Sequence, residues 1–176
     1  IKRPSYGEEL LVKTWGRNVK KVTTYRDYEI YNENNELCAI ATTKWALLDI
    51  NLKKIIRISP EIINKYILNE KSVFEEEELS KISIPEEFEN CIIYTVQRRN
   101  IDVNGHMHNT HYLDLAYEAL PEDIYNNRPY NNLRISYKKE IKLGDKVNCY
   151  YSHIDDKHVV VMKTNDITNA IVEIWN

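Results

Sequence analysis

The second half of the chain holds one long helical run among five strand-like runs, and few folds accept that proportion. Across residues 109–120, Tyr112, Leu115, Ala116 and Ala119 fall on one face at helical spacing, and Pro121 stops the run. Residues 91–99 precede it as a strand rich in Ile, Tyr and Val. Residues 133–140, 146–154, 158–164 and 168–175 follow, with Gly144-Asp145, Asp155-Asp156 and Asn165-Asp166 between them. Such pairs tolerate the positive φ angles of tight turns, so the strands are predicted to run antiparallel. One helix against five antiparallel strands is an α+β layout.

The first half is read as strands from residue 10 to 49, with Val22, Thr24, Arg26, Tyr28 and Ile30 alternating against the residues between them. The Asn-rich cluster at 32–36 is predicted to close a hairpin, and residues 37–48 return as the partner. A short run at 54–58 stops at Ser59-Pro60-Glu61, where a capping Ser and an early Pro predict a helix over 62–68. Residues 70–89, with the acidic run Glu75 to Glu78 and Pro85-Glu86-Glu87, read as a solvated connector with one helical turn.

The halves echo each other. Gly7-Glu8-Glu9 leads into a strand as Gly144-Asp145-Lys146 does, and Trp45 and Trp175 end comparable strands. The first half is therefore expected to hold the last strands of a unit that the second half holds whole. Its initial strand and helix are expected upstream of Ile1.

Composition narrows the function. A formal charge of −3 over 176 residues gives no field for phosphates, so no nucleic-acid partner is expected. No apolar run approaches the roughly 20 residues of a membrane span, so no membrane partner is expected. Cys38, Cys91 and Cys149 lack CxxC spacing and cannot all pair, which points to a reducing, cytoplasmic setting.

The chemistry concentrates in the stretch from Asn100 to Tyr112, where Asp102, Asn104 and His106 stand at alternating positions just before the helix. If that segment is extended, an acid, a carboxamide and an imidazole project to one side. The helix amino end would add backbone donors for an oxyanion. Simpler roles compete: Asp102 as a turn brace, Asn104-Gly105 as a turn pair, and a solvated charge at Glu140. His106, His108 and His111 also invite a zinc reading, but their spacing fits neither HExxH nor one strand face, and no metal is expected.

The run Asp102-Val103-Asn104-Gly105-His106-Met107-His108-Asn109 resembles the active-site loop of the acyl-acyl carrier protein thioesterase family. Ile135 to Glu140 resembles the strand that brings that family's catalytic Glu. Arg26-Asp27, Thr42-Thr43-Lys44-Trp45 and the approach to Ser59-Pro60-Glu61 are similar to the end of its first domain.

The resemblance implies tandem hotdog domains: residues 1–59 as the end of the first, 60–89 as a helical and acidic linker, and 90–176 as a complete second domain. It implies hydrolysis of fatty acyl-acyl carrier protein without a cofactor, with the acyl chain held by the first domain. His106 and Glu140 would activate water or hold the attacking group, Asn104 would bond the thioester region, and Asp102 would fix the loop or tune His106. Which of His106 and Glu140 takes the proton stays open. Plant members carry a Cys after the Glu, where this chain has Ile141, so water attacks directly unless Glu140 itself forms an anhydride. An acyl-coenzyme A thioesterase and a non-catalytic acyl-binding or carrier-docking module share the expected fold, and pairing into a homodimer is compatible with it.

Overall fold

The computed structural model describes residues 2–76 and 78–176, which form two compact units, Ile1–Ser80 and Lys81–Asn176. In the first unit, β1 (Leu11–Arg17), β2 (Thr23–Tyr31) and β3 (Leu37–Ala46) form an antiparallel meander in chain order. Asn32 closes the β2–β3 hairpin: its carboxamide oxygen accepts the N–H of Asn34 and Glu36, and Asn35 takes a φ of 59°.

The buried face of β2 is the set Tyr25, Asp27 and Glu29. Two of its members are acids, and each has a partner. Asp27 meets Arg17 Nε at 2.8 Å and accepts from Thr42, its opposite residue on β3, at 2.6 Å. Lys71 donates to Glu29 at 2.5 Å. A strand can bury carboxylates in this way only where donors replace the lost water.

A two-residue ladder, β4 (Leu48–Asp49) with β5 (Lys54–Ile55), leads to α1 (Pro60–Ile63). Ser59 caps the N–H of Ile62 at 3.4 Å and Pro60 opens the first turn. The helix expected over 62–68 is shorter than predicted. Lys65 and Tyr66 bond back only three residues, in a run whose Asn and β-branched Ile residues favour helix weakly. Asn69 then donates to Gly16 O, which draws the chain onto β1.

The second unit carries β6 (Asn90–Thr95), α2 (Asn109–Glu118), α3 (Glu122–Asn126), β7 (Asn132–Tyr137), β8 (Lys146–Ile154), β9 (Lys157–Thr164) and β10 (Ile167–Trp175). Its antiparallel sheet has the order β6-β8-β9-β10-β7. Tyr112, Leu115, Ala116 and Ala119 of the α2 segment enter one core with Val147, Cys149, Val160, Met162, Val172 and Ile174 of the sheet. This is the α+β arrangement expected, a sheet closed on one central helix. The expected turns are present, and Asn165 and Asp166 both have positive φ, as a two-residue hairpin turn with right-handed twist requires.

Three details differ from expectation. Pro121, expected as a stop, also starts α3, with Glu122 and Asp123 in its first turn. Residues 70–89 contain no helical turn among the described residues; Glu77 lies outside them. Nor is that stretch wholly solvated, since Ile82 is buried with Val159, Val161 and Ile171 on the outer sheet face, and Phe88 packs there too. Finally, β7 ends at Tyr137, so Glu140 sits in the loop beyond the strand.

Candidate functional site

The segment from Asp102 to His106 is a tight turn, not the extended run that alternation suggested. Asp102 closes it on both sides. Its N–H donates to His106 O at 2.9 Å, and its carbonyl accepts the N–H of Gly105 at 3.1 Å. Its carboxylate accepts the N–H of Asn104 at 2.8 Å and of His106 at 3.3 Å, with the Asn104 carboxamide 3.5 Å away. Partial burial works against the charged carboxyl, yet the donors from His106 and Asn104 prevail and hold Asp102 below the usual carboxylate range. Gly105 has φ near +79°, a conformation that L side chains rarely adopt, so the turn needs glycine there.

This turn is fastened at its base. Ile101 and Met107 form a bridge, His108 N–H donates to Asn100 O at 2.8 Å, and Met107 N–H donates to Ile141 O at 2.8 Å. Asn100 is itself buried and accepts from Tyr94 Oη at 2.9 Å and Gln97 N at 2.8 Å. His106 also bridges Lys142, which brings the turn alongside the loop after β7. There His106 Nε2 lies 3.8 Å from Glu140 Oε1, both side chains partly exposed.

Of the four residues singled out in the sequence, His106 and Glu140 face each other, and Asp102 braces the turn that presents the imidazole. Asn104 is exposed at the tip of the turn, and its recorded partner is Asp102. The amino end of α2 is partly occupied already. His108 caps it by accepting from Thr110 N at 3.3 Å, and His111 N–H donates to His108 O at 3.0 Å. His111 Nδ1 lies 2.8 Å from Asp114, and no group of three metal-ligating side chains occurs among the described residues.

Sequence reasoning missed the aromatic pair behind the site. Tyr137 at the end of β7 donates to Asn109 O at 3.2 Å and meets Tyr112 edge to face at 5.1 Å. Burial raises the pKa of both hydroxyls. Their spacing, one on the helix and one before the Glu loop, gave no local signal.

The first unit has its own feature, a largely apolar cavity of about 380 Å³ lined by Tyr25, Ile58, Ile62, Ile63, Tyr66 and Ile67 among others. In neither unit is any helix of the described residues long and apolar enough to cross a membrane.

Comparison with known families is decisive about ancestry. Residues 83–176 match the acyl-ACP thioesterase C-terminal domain, and residues 1–66 match the N-terminal domain of the same enzymes. The chain belongs to the acyl-ACP thioesterase family. Among its relatives, oleoyl-acyl carrier protein thioesterase 1, chloroplastic, of Arabidopsis thaliana is 22% identical over 158 residues, covering 84% of this chain. Palmitoyl-acyl carrier protein thioesterase, chloroplastic, of Gossypium hirsutum is 24% identical over 143 residues and 78% of this chain. The chain spans 43% and 35% of the length of these two relatives.

Two solved family members give the fold. An acyl-ACP thioesterase from Bacteroides thetaiotaomicron superposes with a TM-score of 0.80 at 20% identity, over 96% of this chain and 68% of that one. The 12:0-ACP thioesterase of Umbellularia californica gives 0.81 at 16% identity, over 98% and 69%. The helix-on-sheet layout of this acyl-ACP thioesterase family member is thus the hotdog fold.

Proposed function

We propose that this chain is part of a hydrolase that cleaves fatty acyl-acyl carrier protein to the free acid and the carrier, ending chain elongation. The observation that carries the reading is the meeting of His106 Nε2 and Glu140 Oε1 at 3.8 Å beside a turn fixed by Asp102. That gap is too long for a direct hydrogen bond, and it leaves both groups close enough to approach one incoming water at the partly exposed site. One of them draws its proton as the oxygen attacks the thioester carbon, and the other orients the water and stabilises the charge that develops. The tetrahedral oxyanion then collapses with loss of the carrier thiolate. Ile141 follows Glu140 and is fully buried, so no thiol nucleophile enters at that position.

Asn104, at the exposed tip of the turn, is proposed to bond the thioester region when substrate arrives. The apolar cavity of the first unit suits an alkyl chain, because burying each CH₂ is worth about 0.8 kcal/mol. We read residues 1–59 and 90–176 as successive hotdog units joined by 60–89, acting in the cytoplasm, with homodimer formation open to a direct mass measurement. No metal or cofactor is needed for this route.

Thiol release from one acyl group on carrier protein and on coenzyme A tests the proposal. Preference for the carrier is expected. Equal rates would favour an acyl-coenzyme A thioesterase, and acyl binding without turnover would favour a non-catalytic module.

A further inference from the structure

Asn169 is fully buried in β10, at the bulge where the register with β9 shifts between Thr168 and Ala170. A carboxamide in that place is costly unless bonded, because burial removes up to four hydrogen bonds to water. Four of its bonds go to one place. The backbone oxygen of Asn169 accepts the N–H of Lys138 at 2.8 Å and of Lys139 at 3.1 Å. Its side-chain Nδ2 donates to the carbonyls of Lys139 and Glu140, both at 3.4 Å. Two carbonyl oxygens can be met only by the NH₂ end, which fixes the amide orientation. That leaves Oδ1 buried without a hydrogen-bond partner among the described residues.

A stability role explains this poorly. An apolar residue of the same size would remove the orphan acceptor, and what it would forfeit is the pair of long bonds to the carbonyls of Lys139 and Glu140. What the side chain does is hold the carbonyls of two consecutive residues, Lys139 and Glu140, just past the end of β7 and beyond the last residue that the Asn169 backbone oxygen reaches.

We infer that Asn169 is a positioning residue that sets Glu140 at its distance from His106. The inference rests on the reading of His106 and Glu140 as the reacting pair. With the bulge, β10 offers two backbone contacts and two side-chain contacts to a loop that must end with its carboxylate aimed at the imidazole. Met107 N–H on Ile141 O pins the same loop from the other side, so Glu140 lies between two anchors. Removing the Nδ2 anchor frees one end of that span, and a shift of about 1 Å in a reacting group can cost up to a hundredfold in rate.

The test is a double-mutant cycle on the full chain with acyl-carrier substrate, using Asn169→Leu and Glu140→Gln. Backbone bonds from Asn169 O survive the first substitution and only the two long side-chain bonds are lost, so the protein should stay folded with a melting temperature lowered by a few degrees. We expect Asn169→Leu to lower kcat at least tenfold with KM little changed, and to lower nothing further once Glu140 is Gln. Asn169→Gln, which keeps the NH₂ group, should recover part of the loss.

A parent-like kcat in Asn169→Leu would overturn the inference, and so would an equal loss in the Glu140→Gln background. If Asn169→Leu does not fold, the same cycle with Asn169→Ser decides, and failure of both to fold would mark a folding role instead. Should the parent release no thiol, the thioesterase reading falls by itself. A crystal structure of Asn169→Leu then decides the positioning claim: a widened His106 to Glu140 gap supports it, and an unchanged one overturns it.

Discussion

His106 and Glu140, one in the turn before the central helix and the other in the loop after β7, face each other with Nε2 and Oε1 3.8 Å apart. The two lie far apart in the chain. Backbone pairing brings them together, through the bridge of His106 with Lys142 and the bond from Met107 N–H to Ile141 O.

Removing either group should therefore disable chemistry and spare the fold. Their side chains are 39% and 53% exposed, so His106→Ala and Glu140→Gln should each change stability by no more than about 0.5 kcal/mol. General acid-base assistance is worth about a hundredfold to ten-thousandfold, and kcat for thiol release should fall within that range for both. Full rates in both variants would remove the pair from the mechanism.

Asp102 should act on the turn and only through it on the reaction. Its carboxyl is held low, with burial opposing and the N–H donors of His106 and Asn104 prevailing. A depressed folded pKa contributes stability that is present above the unfolded value and lost as pH falls through the folded value. The amides of Asn104 and His106 should thus keep their hydrogen-exchange protection down to about pH 4 and lose it below. Asp102→Ala should abolish that protection at neutral pH and reduce kcat more than it raises KM. Protection that persists in the variant would show that Asp102 does not brace the turn.

Much of this was legible in the sequence, and the limits have physical causes. The central helix, four strands of the second unit and the hairpins at Asn32 and Asn165 carry local signals: periodicity, and residues that accept positive φ. Alternation of Asp102, Asn104 and His106 misled, because the same Asp and Asn that can line a strand also bond their own backbone and make a turn. The end of β7 was invisible, since it falls where one carbonyl far along the chain, that of Asn169 in a bulge, takes the N–H of both Lys138 and Lys139. Burial of acids in β2 was equally hidden, because it depends on Arg17, Thr42 and Lys71 from three other segments.

That buried face makes the first unit sensitive to a single change. Arg17 and Asp27 have side-chain exposures of 4% and 0%, and Asp27 further accepts from Thr42 Oγ1 and Val73 N. Breaking a buried pair by removing one partner costs about 3–5 kcal/mol, since the other charge stays buried. Asp27→Ala should destabilise by that amount in chemical denaturation, and Thr42→Val by about 1 kcal/mol. A loss under about 1 kcal/mol for Asp27→Ala would mean that Arg17 escapes to solvent when its partner is gone.

A last expectation concerns acid stability, and it lies away from the reacting pair. His158 on β9 is partly buried, stacks on His153 at 5.0 Å, meets Tyr130 edge to face at 5.3 Å, and lies 3.1 Å from Tyr151 Oη through Nδ1. Burial first, and then the neighbouring His153, lower its pKa, while Glu89 and Asp123 oppose them. The unfolded chain therefore binds a proton here more readily than the folded one, so stability rises with pH across the interval between the two values. The contribution is whole above the ordinary histidine value of about 6.5 and is lost as pH falls through the lowered one. Melting temperatures measured from about pH 7 down to about pH 5 should decline less steeply for His158→Gln than for the parent. Identical slopes would show that His158 protonates in the fold as easily as in the unfolded chain, and that the imidazole stack tolerates the charge.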